Sequence, residues 1–365
     1  MNHTQMPQKI VVRAPNWIGD QVLAYPCFHY LRQGYPQAHI TSVCPPWVAA
    51  IQFRHLVDEV CVLPQPKNSS VWARLQALEA GARLLRTQGP WDLGLCLPNA
   101  FSSAWLLARA GVRWRRGYAT DGRGFLLHDR LDWKPQAVRH RAEAYACVLP
   151  DIVRPHSSVQ GFWGEPPQGK SEPDTPGVRS QFDVERAWPV VAIVEPPGYP
   201  YWVLAPGSMA DARRWPEERF AALARQIAQA TGMCGLVVGG AAEAAMAQRL
   251  CTAPDLKLVD CTARGSVAAY WKVFRQALFT VSNDSGLAHV AALCGSPVHI
   301  VWGAGDPRKT RPLGPGPIHL LHHPVDCWPC ERNVCCQSHD RKIACLRGID
   351  TEMVWTKIRL HSRCI

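Results

Sequence analysis

The sequence predicts an α/β protein built on parallel sheets and divided into two halves. Short β-branched strands alternate with amphipathic helical stretches through the N-terminal part of the chain, and the same alternation resumes after residue 198. Between them Pro155, Pro166, Pro167, Pro173, Pro176, Pro189, Pro196 and Pro197 crowd a segment with few apolar runs. Such a segment sustains neither a helix nor a central strand. The simplest architecture is therefore two α/β halves with a cleft between them. Residues 1–152 form the first, 153–198 a proline-rich linker and 199–325 the second, with a cysteine-rich segment and closing helix at 326–365. The length of 365 residues agrees with two domains at about 150 residues each, or with one large domain.

Taken in order, Lys9 to Pro15 is a short strand, followed by Gly19-Asp20 and an apolar-periodic stretch to about Gln33. His39 to Pro45, Asp58 to Pro64 and Trp91 to Pro98 read as further buried strands. Val71 to Arg86 lies between two of these and carries Trp72, Leu75, Leu78 and Leu85 at helical spacing. In the second half Trp202 to Ala205 is a strand leading into Pro206-Gly207-Ser208. Trp215-Pro216-Glu217-Glu218 opens a helix with acids near the positive end of its dipole, and Gly232 closes it. Gly235 to Gly240, Leu256 to Cys261, Leu278 to Asn283 and Pro297 to Gly303 are the strands that follow.

The 40 Lys and Arg against 29 Asp and Glu leave a formal charge of +11, which implies an anionic partner. An apolar fraction of 47% supplies a sizeable core and excludes general disorder. No run of about 18 apolar residues suits a membrane span, and the polar N-terminus is no secretory signal, so a cytoplasmic protein is expected. The basic residues are scattered rather than striped, and no aromatic-basic recognition motif accompanies them. This argues against a nucleic-acid-binding zinc protein.

Three places stand at strand C-termini, where open α/β sheets bind ligands. Asp20 follows a glycine at a strand-to-helix junction, which suits either a general base or a plain helix N-cap. Pro206-Gly207-Ser208 to Arg213-Arg214-Trp215 places a glycine, a hydroxyl and two guanidinium groups before a helix N-terminus. That is an anion cradle, or a solvated basic loop. Asn283-Asp284-Ser285-Gly286 with His289 is the third, a small-anion or ribose site whose acids and hydroxyls also make good caps. Of fifteen cysteines most sit singly in apolar segments, as small buried residues of a reduced protein (Cys96, Cys234, Cys294). Cys327, Cys330, Cys335 and Cys345 are clustered, with Cys336 and His339 nearby. Their spacing suits a structural zinc or iron site of four thiolates, or a metal-free surface loop.

These marks together resemble the ADP-heptose:lipopolysaccharide heptosyltransferases of glycosyltransferase family 9, the heptosyltransferase II branch most closely. The resemblance spans nearly the whole chain. It rests on Trp17-Ile18-Gly19-Asp20 with Pro26, on Gly117-Tyr118 with Arg123 and His140-Arg141 with Tyr145, on Pro206-Gly207 with Arg213-Arg214-Trp215-Pro216, and on Asn283-Asp284-Ser285-Gly286 with His289. It implies a GT-B fold, two Rossmann-like domains whose parallel sheets face a central cleft. The implied reaction is inverting, cofactor-free transfer of heptose from ADP-heptose to a lipid A–Kdo–heptose acceptor at the inner face of the inner membrane. Asp20 would be the base, and Arg213 would serve catalysis at the donor diphosphate. Ser208, Glu243, Thr262, Asp284, Ser285, Gly286 and His289 would bind the donor. Arg116, Arg123, Arg139 and Arg141 would hold an acidic lipid-linked glycan, with peripheral contact to an anionic membrane. The alternative within the family is another nucleotide sugar, or a protein or other glycan as acceptor. Arg213 stands where the family usually has Lys, so charge is kept in a longer and flatter fork.

Overall fold

The computed structural model describes residues 6–133, 139–155, 159–163, 182–190 and 192–361. Residues 156–158, 164–181 and 191 of the proline-rich segment expected at 153–198 therefore lie outside the described residues. The chain divides into two units, Met1–Phe162 with Asp183–Pro189 and Trp163–Phe182 with Val190–Ile365.

The first unit carries strands β1 (Lys9–Arg13), β2 (His39–Cys44), β3 (Glu59–Val62), β4 (Leu93–Cys96), β5 (Trp114–Tyr118) and β6 (Asp129–Leu131). They form one six-stranded sheet in the order β3-β2-β1-β4-β5-β6, and every pairing is parallel. β4 and the centre of β1 (Ile10, Val11, Val12) are apolar and buried, as central parallel strands require. The apolar stretch after β1 is two helices, α1 (Ile18–Leu23) and α2 (Tyr25–Gly34). Pro26 causes the break: it has no N–H to continue the ladder of α1, and it suits the first turn of a new helix. Helix α3 (Val71–Gln88) buries Ala73, Gly81, Ala82 and Leu85, but Trp72 and Leu75 are exposed. Its apolar spacing therefore predicts the helix correctly and its buried face only in part. Helices α4 (Phe101–Arg109), α5 (Arg141–Ala146) and α6 (Val184–Ala187) complete the unit.

The second unit repeats the plan. Its strands are β7 (Tyr201–Ala205), β8 (Cys234–Val237), β9 (Leu258–Asp260), β10 (Thr280–Asn283), β11 (Val298–Trp302) and β12 (Ile318–His322). Their order is β12-β11-β10-β7-β8-β9, again parallel throughout. Counted from its own first strand, each sheet has the Rossmann order 3-2-1-4-5-6. The direction of winding reverses between β1 and β4 in the first sheet and between β7 and β10 in the second, and ligands bind at such reversals. The helices are α7 (Glu217–Thr231), α8 (Ala244–Cys251), α9 (Trp271–Gln276), α10 (Gly286–Leu293), α11 (Pro307–Thr310), α12 (Ala344–Arg347) and α13 (Thr351–His361). Gly232 ends α7 in the left-handed conformation at φ 70°, which glycine adopts without strain. Trp202, Trp215, Phe220, Ile227, Val354 and Ile358 pack a core that joins α7 and α13 to the sheet. Among the described residues no helix is long and apolar enough to cross a membrane.

The second sheet also buries a titratable group. His299 of β11 lies in register with His319 of β12, their rings stacked at 4.8 Å, and His361 lies 3.9 Å from His319. Among the described residues both ring nitrogens of His299 are buried without a hydrogen bond. Burial, then the neighbouring His319, His361 and Lys357, pushes its pKa down to about 3 from 6.5. The unfolded chain thus binds a proton that the folded chain refuses, and stability falls as pH drops below about 6.5. At pH 5 this site alone is expected to remove about 2 kcal/mol relative to pH 7. Denaturant midpoints across that interval check it, and His299→Leu should flatten the slope.

Candidate functional site

The ends of β7 and β10 flank the reversal in the second sheet. β7 runs into Pro206-Gly207-Ser208 and β10 into Asp284-Ser285-Gly286. Asn283 ties the two ends together. Its side-chain oxygen accepts from the Trp215 amide at 3.0 Å, and its amide nitrogen donates to the Pro206 carbonyl at 2.5 Å. The Ser208 hydroxyl donates to the Asp284 carbonyl at 3.3 Å, and Arg214 Nε donates to the Ser208 carbonyl. The loop from 206 to 215 is thereby held as one braced piece over the strand ends.

Within this frame Asp284 is buried, its side chain 3% exposed, with Arg213 Nη1 3.3 Å from its Oδ2. Burial pushes the Asp284 pKa up to about 6, and Arg213 restrains the rise. Neither Asp284 Oδ2 nor Arg213 Nε makes a hydrogen bond within the described residues. A β-carbon on Gly305 would stand 2.5 Å from that Oδ2, so the carboxylate needs glycine beside it. Ser285 is the N-cap of α10 but makes no side-chain cap hydrogen bond, and instead its hydroxyl lies 3.3 Å from that of Ser282. First-turn amides from Gly286 onward are thus not satisfied by the cap side chain. Together with the dipole they favour an anion. His289 lies buried one turn further along the same helix.

Glu243 borders this region, and Thr262 follows β9, the edge strand two places from β7. The Glu243 carboxylate accepts from the Gly240 amide at 2.9 Å and lies against Gly207, where a β-carbon would meet its Oε1 at 2.6 Å. Thr262 donates through both its amide and its hydroxyl to Asp260.

In the first unit, Trp17 occupies the N-cap position of α1 and Asp20 lies inside the first turn, so Asp20 is not the cap of that helix. Arg141 Nε lies 3.7 Å from Asp20 Oδ1, and burial together with the nearby Asp20 charge pushes the Tyr145 pKa well above the ordinary tyrosine value. Both residues come from α5. A cavity of about 660 Å³ opens at the C-terminal ends of β1 to β3, lined by Arg13, Asn16, Trp47, Leu75, Leu78 and Trp105 among others.

The arginines expected at the acceptor divide. Arg116 is buried, donating to the Val148 carbonyl and pairing with Asp129 and Asp151. Arg123 is fully buried and donates to the carbonyls of Tyr118, Pro98 and Ala100. Both guanidinium groups serve the interior of the unit. Net charge could not distinguish these uses, because it carries no information on where a side chain points. Arg139 is exposed beside Cys147, and Arg141 faces Asp20. Tyr145 was legible only as a motif mark. Its i, i+4 spacing from Arg141 was the signal that both share a helix face.

The four-thiolate site expected at the cysteine cluster is not formed. Burial raises the Cys345 pKa, and the nearby Cys330, Cys327 and Cys335 add to the rise. Yet among the described residues no group of three or more His, Cys, Asp or Glu is arranged to hold a metal ion. Cys335 instead accepts from the Ile343 amide through its sulfur. As arranged, these residues do not fit a tetrahedral metal.

Two Rossmann-ordered units, with a buried carboxylate–guanidinium pair and an anion-favouring helix end at one winding reversal and a carboxylate after β1 at the other, are the parts of a GT-B glycosyltransferase. The chain belongs to glycosyltransferase family 9 (heptosyltransferase), whose model matches residues 81–339. It is 27% identical over 320 residues to lipopolysaccharide heptosyltransferase 2 of Escherichia coli K12, covering 84% of this chain and 85% of that one. Lipooligosaccharide heptosyltransferase 2 of Haemophilus ducreyi is 25% identical over 316 residues, covering 84% and 86%. The fold matches the structure of E. coli ADP-heptose LPS heptosyltransferase II with a TM-score of 0.70 at 20% identity, over 96% of this chain and 98% of that one. It also matches E. coli heptosyltransferase WaaC with ADP-2-deoxy-2-fluoro heptose, with a TM-score of 0.65 at 17% identity, over 96% and 99%.

Proposed function

We propose that this glycosyltransferase moves heptose from ADP-heptose onto a heptosylated lipid A–Kdo acceptor of the lipopolysaccharide inner core, with inversion at the anomeric carbon and no cofactor. The observation that carries the donor half is the Asp284–Arg213 pair beside the amides of α10. Buried charge of this kind is costly unless a ligand uses it. The relatives named heptosyltransferase 2, and the fold shared with an enzyme solved with an ADP-heptose analogue, support the same donor. In the reaction the acceptor hydroxyl gives its proton to Asp20 as its oxygen bonds to the anomeric carbon. The bond from that carbon to the diphosphate breaks, and ADP departs with the electron pair. Arg213, Ser208 and the first-turn amides of α10 stabilise the charge gathering on the diphosphate. Asp284, Glu243, Thr262 and His289 complete the donor site. A formal charge of +11 suits a cytoplasmic enzyme working against an anionic membrane face.

The test is calorimetric titration with ADP, ADP-heptose and UDP-glucose, with a short single-stranded oligonucleotide as control. Preference for ADP and ADP-heptose is expected. Binding of UDP-glucose in their place would remove heptose from the proposal, and oligonucleotide binding alone would remove the donor site.

A further inference from the structure

We propose that Trp328 and Glu331, in the cysteine-rich segment, are positioning residues: with Asn333 they form a strap that fixes the backbone carrying Arg213, and so sets where its guanidinium meets the donor diphosphate. The inference rests on the reading of Arg213 as a donor residue. Arg213 ends a three-residue 3₁₀ turn, Asp211–Arg213, which is too short to hold itself in place. Its side chain is 26% exposed and approaches Asp284 with Nη1 at 3.3 Å. The place of the guanidinium is therefore decided by where the backbone of residues 212 and 213 is held.

The adjoining residue, Ala212, is bonded out of its own loop on both sides. Its amide donates to the Asn333 carbonyl at 3.0 Å, and its carbonyl accepts from the Ala304 amide at 3.4 Å. The Ala304 carbonyl in turn accepts from the Glu331 amide at 2.8 Å, and the Trp328 indole N–H donates to the Gly303 carbonyl at 2.8 Å. These four hydrogen bonds lace together the strap, the turn after β11 and the loop of Arg213. The packing between them is close. A β-carbon on Gly303 would stand 2.7 Å from the Ala212 carbonyl oxygen, and one on Gly305 2.5 Å from Asp284 Oδ2. The turn after β11 thus passes the position of the strap to both members of the Asp284–Arg213 pair.

The strap has anchors of its own. The Trp328 ring stacks on His322 with centroids 5.4 Å apart, Cys335 accepts from the Ile343 amide through its sulfur, and Cys345 packs against the core that contains Trp215. Glu331 adopts the left-handed conformation at φ 53°, uncommon for a residue with a β-carbon, and its carboxylate accepts from Lys309 Nζ at 2.5 Å. Residues 331 to 334 are exposed, so this stretch buries no core. What it contributes is backbone hydrogen bonding directed at the turn after β11 and the loop of Arg213.

ADP titration, steady-state kinetics and melting curves of the full chain test the proposal on Glu331→Pro, Glu331→Gly, Trp328→Phe and Arg213→Ala, and on the first and third of these combined with Arg213→Ala. Proline removes the Glu331 amide and cannot take a positive φ, whereas glycine keeps both. Glu331→Pro is expected to weaken ADP binding about 10-fold and to lower kcat about 10-fold, with acceptor KM and Tm near those of the parent. Glu331→Gly should recover most of both losses. Trp328→Phe, which keeps a ring and loses the indole N–H, should fall between the two. In the Arg213→Ala background Glu331→Pro and Trp328→Phe should add little, because they act through Arg213. Additive losses in that background would overturn the positioning role. Parental ADP affinity and kcat in Glu331→Pro and Trp328→Phe, beside an impaired Arg213→Ala, would overturn it too and leave the donor reading standing. Should Arg213→Ala itself bind ADP and turn over normally, the donor reading of Arg213 fails and takes this inference with it. If Glu331→Pro does not fold, Trp328→Phe and its combination with Arg213→Ala decide the matter.

Discussion

Asp20→Asn is expected to lower kcat by about 10²- to 10⁴-fold and to leave ADP affinity unchanged. The substitution keeps the shape of the side chain and removes its capacity to accept a proton. It should cost little in folding, because Asp20 caps no helix and its neighbour Arg141 is itself 32% exposed. Water then compensates the guanidinium, and an ion pair so exposed contributes about 1 kcal/mol or less. Arg213, Asp284 and α10, the proposed donor residues, belong to the other unit of the chain, and Asn keeps the shape of the side chain, so ADP affinity is expected to hold. The measurement is single-turnover transfer beside calorimetric titration of ADP. Transfer within 10-fold of the parent would remove Asp20 as the base. A parallel fall in ADP affinity would mean that Asp20 acts on the donor instead.

Much of this site is legible in the sequence because parallel α/β sheets bring their ligands to strand C-termini. Finding the strands that end at Arg13, Ala205 and Asn283 was therefore enough to locate Asp20, Ser208 and Asp284. Three strands were not anticipated, for different reasons. β5 reads Trp-Arg-Arg-Gly-Tyr, a pattern that looks like exposed basic chain until Arg116 is seen turned inward to Asp129 and the Val148 carbonyl. β6 has three residues, too few to show a period. β12 is an edge strand whose histidines interrupt its apolar run. The packing of α5 against the helix that carries Asp20 is out of reach for another reason. Spacing places Arg141 and Tyr145 on one helix face, but only tertiary packing decides which neighbour that face meets. The same holds for the thiols: spacing brings cysteines near each other in sequence, whereas a metal requires their sulfur atoms to converge on one point.

Asp284→Asn is expected to reduce transfer by at least 10²-fold while leaving the protein as stable as its parent, or more so. The two effects share one cause. With its pKa raised by burial to about 6 from 3.8, Asp284 binds its proton more tightly in the folded chain than in the unfolded one. Stability therefore falls as pH rises from about 4 to about 6, and above that window the folded state bears a penalty of about 3 kcal/mol. Asparagine carries no such charge. Arg213 loses its partner, but its side chain is 26% exposed and water offsets part of that loss. On the proposed donor reading, a carboxylate held against Gly305 at this cost, with one oxygen making no hydrogen bond among the described residues, orients the Arg213 fork and the polar groups of a donor. Denaturant unfolding at pH 5 and pH 8 should show the parent losing the pH dependence due to this site when Asp284 becomes asparagine. Transfer assays at matched folded concentration should show the loss of activity. If the variant unfolds several degrees early and yet transfers normally once folded, Asp284 holds the second unit together and is not part of the donor site.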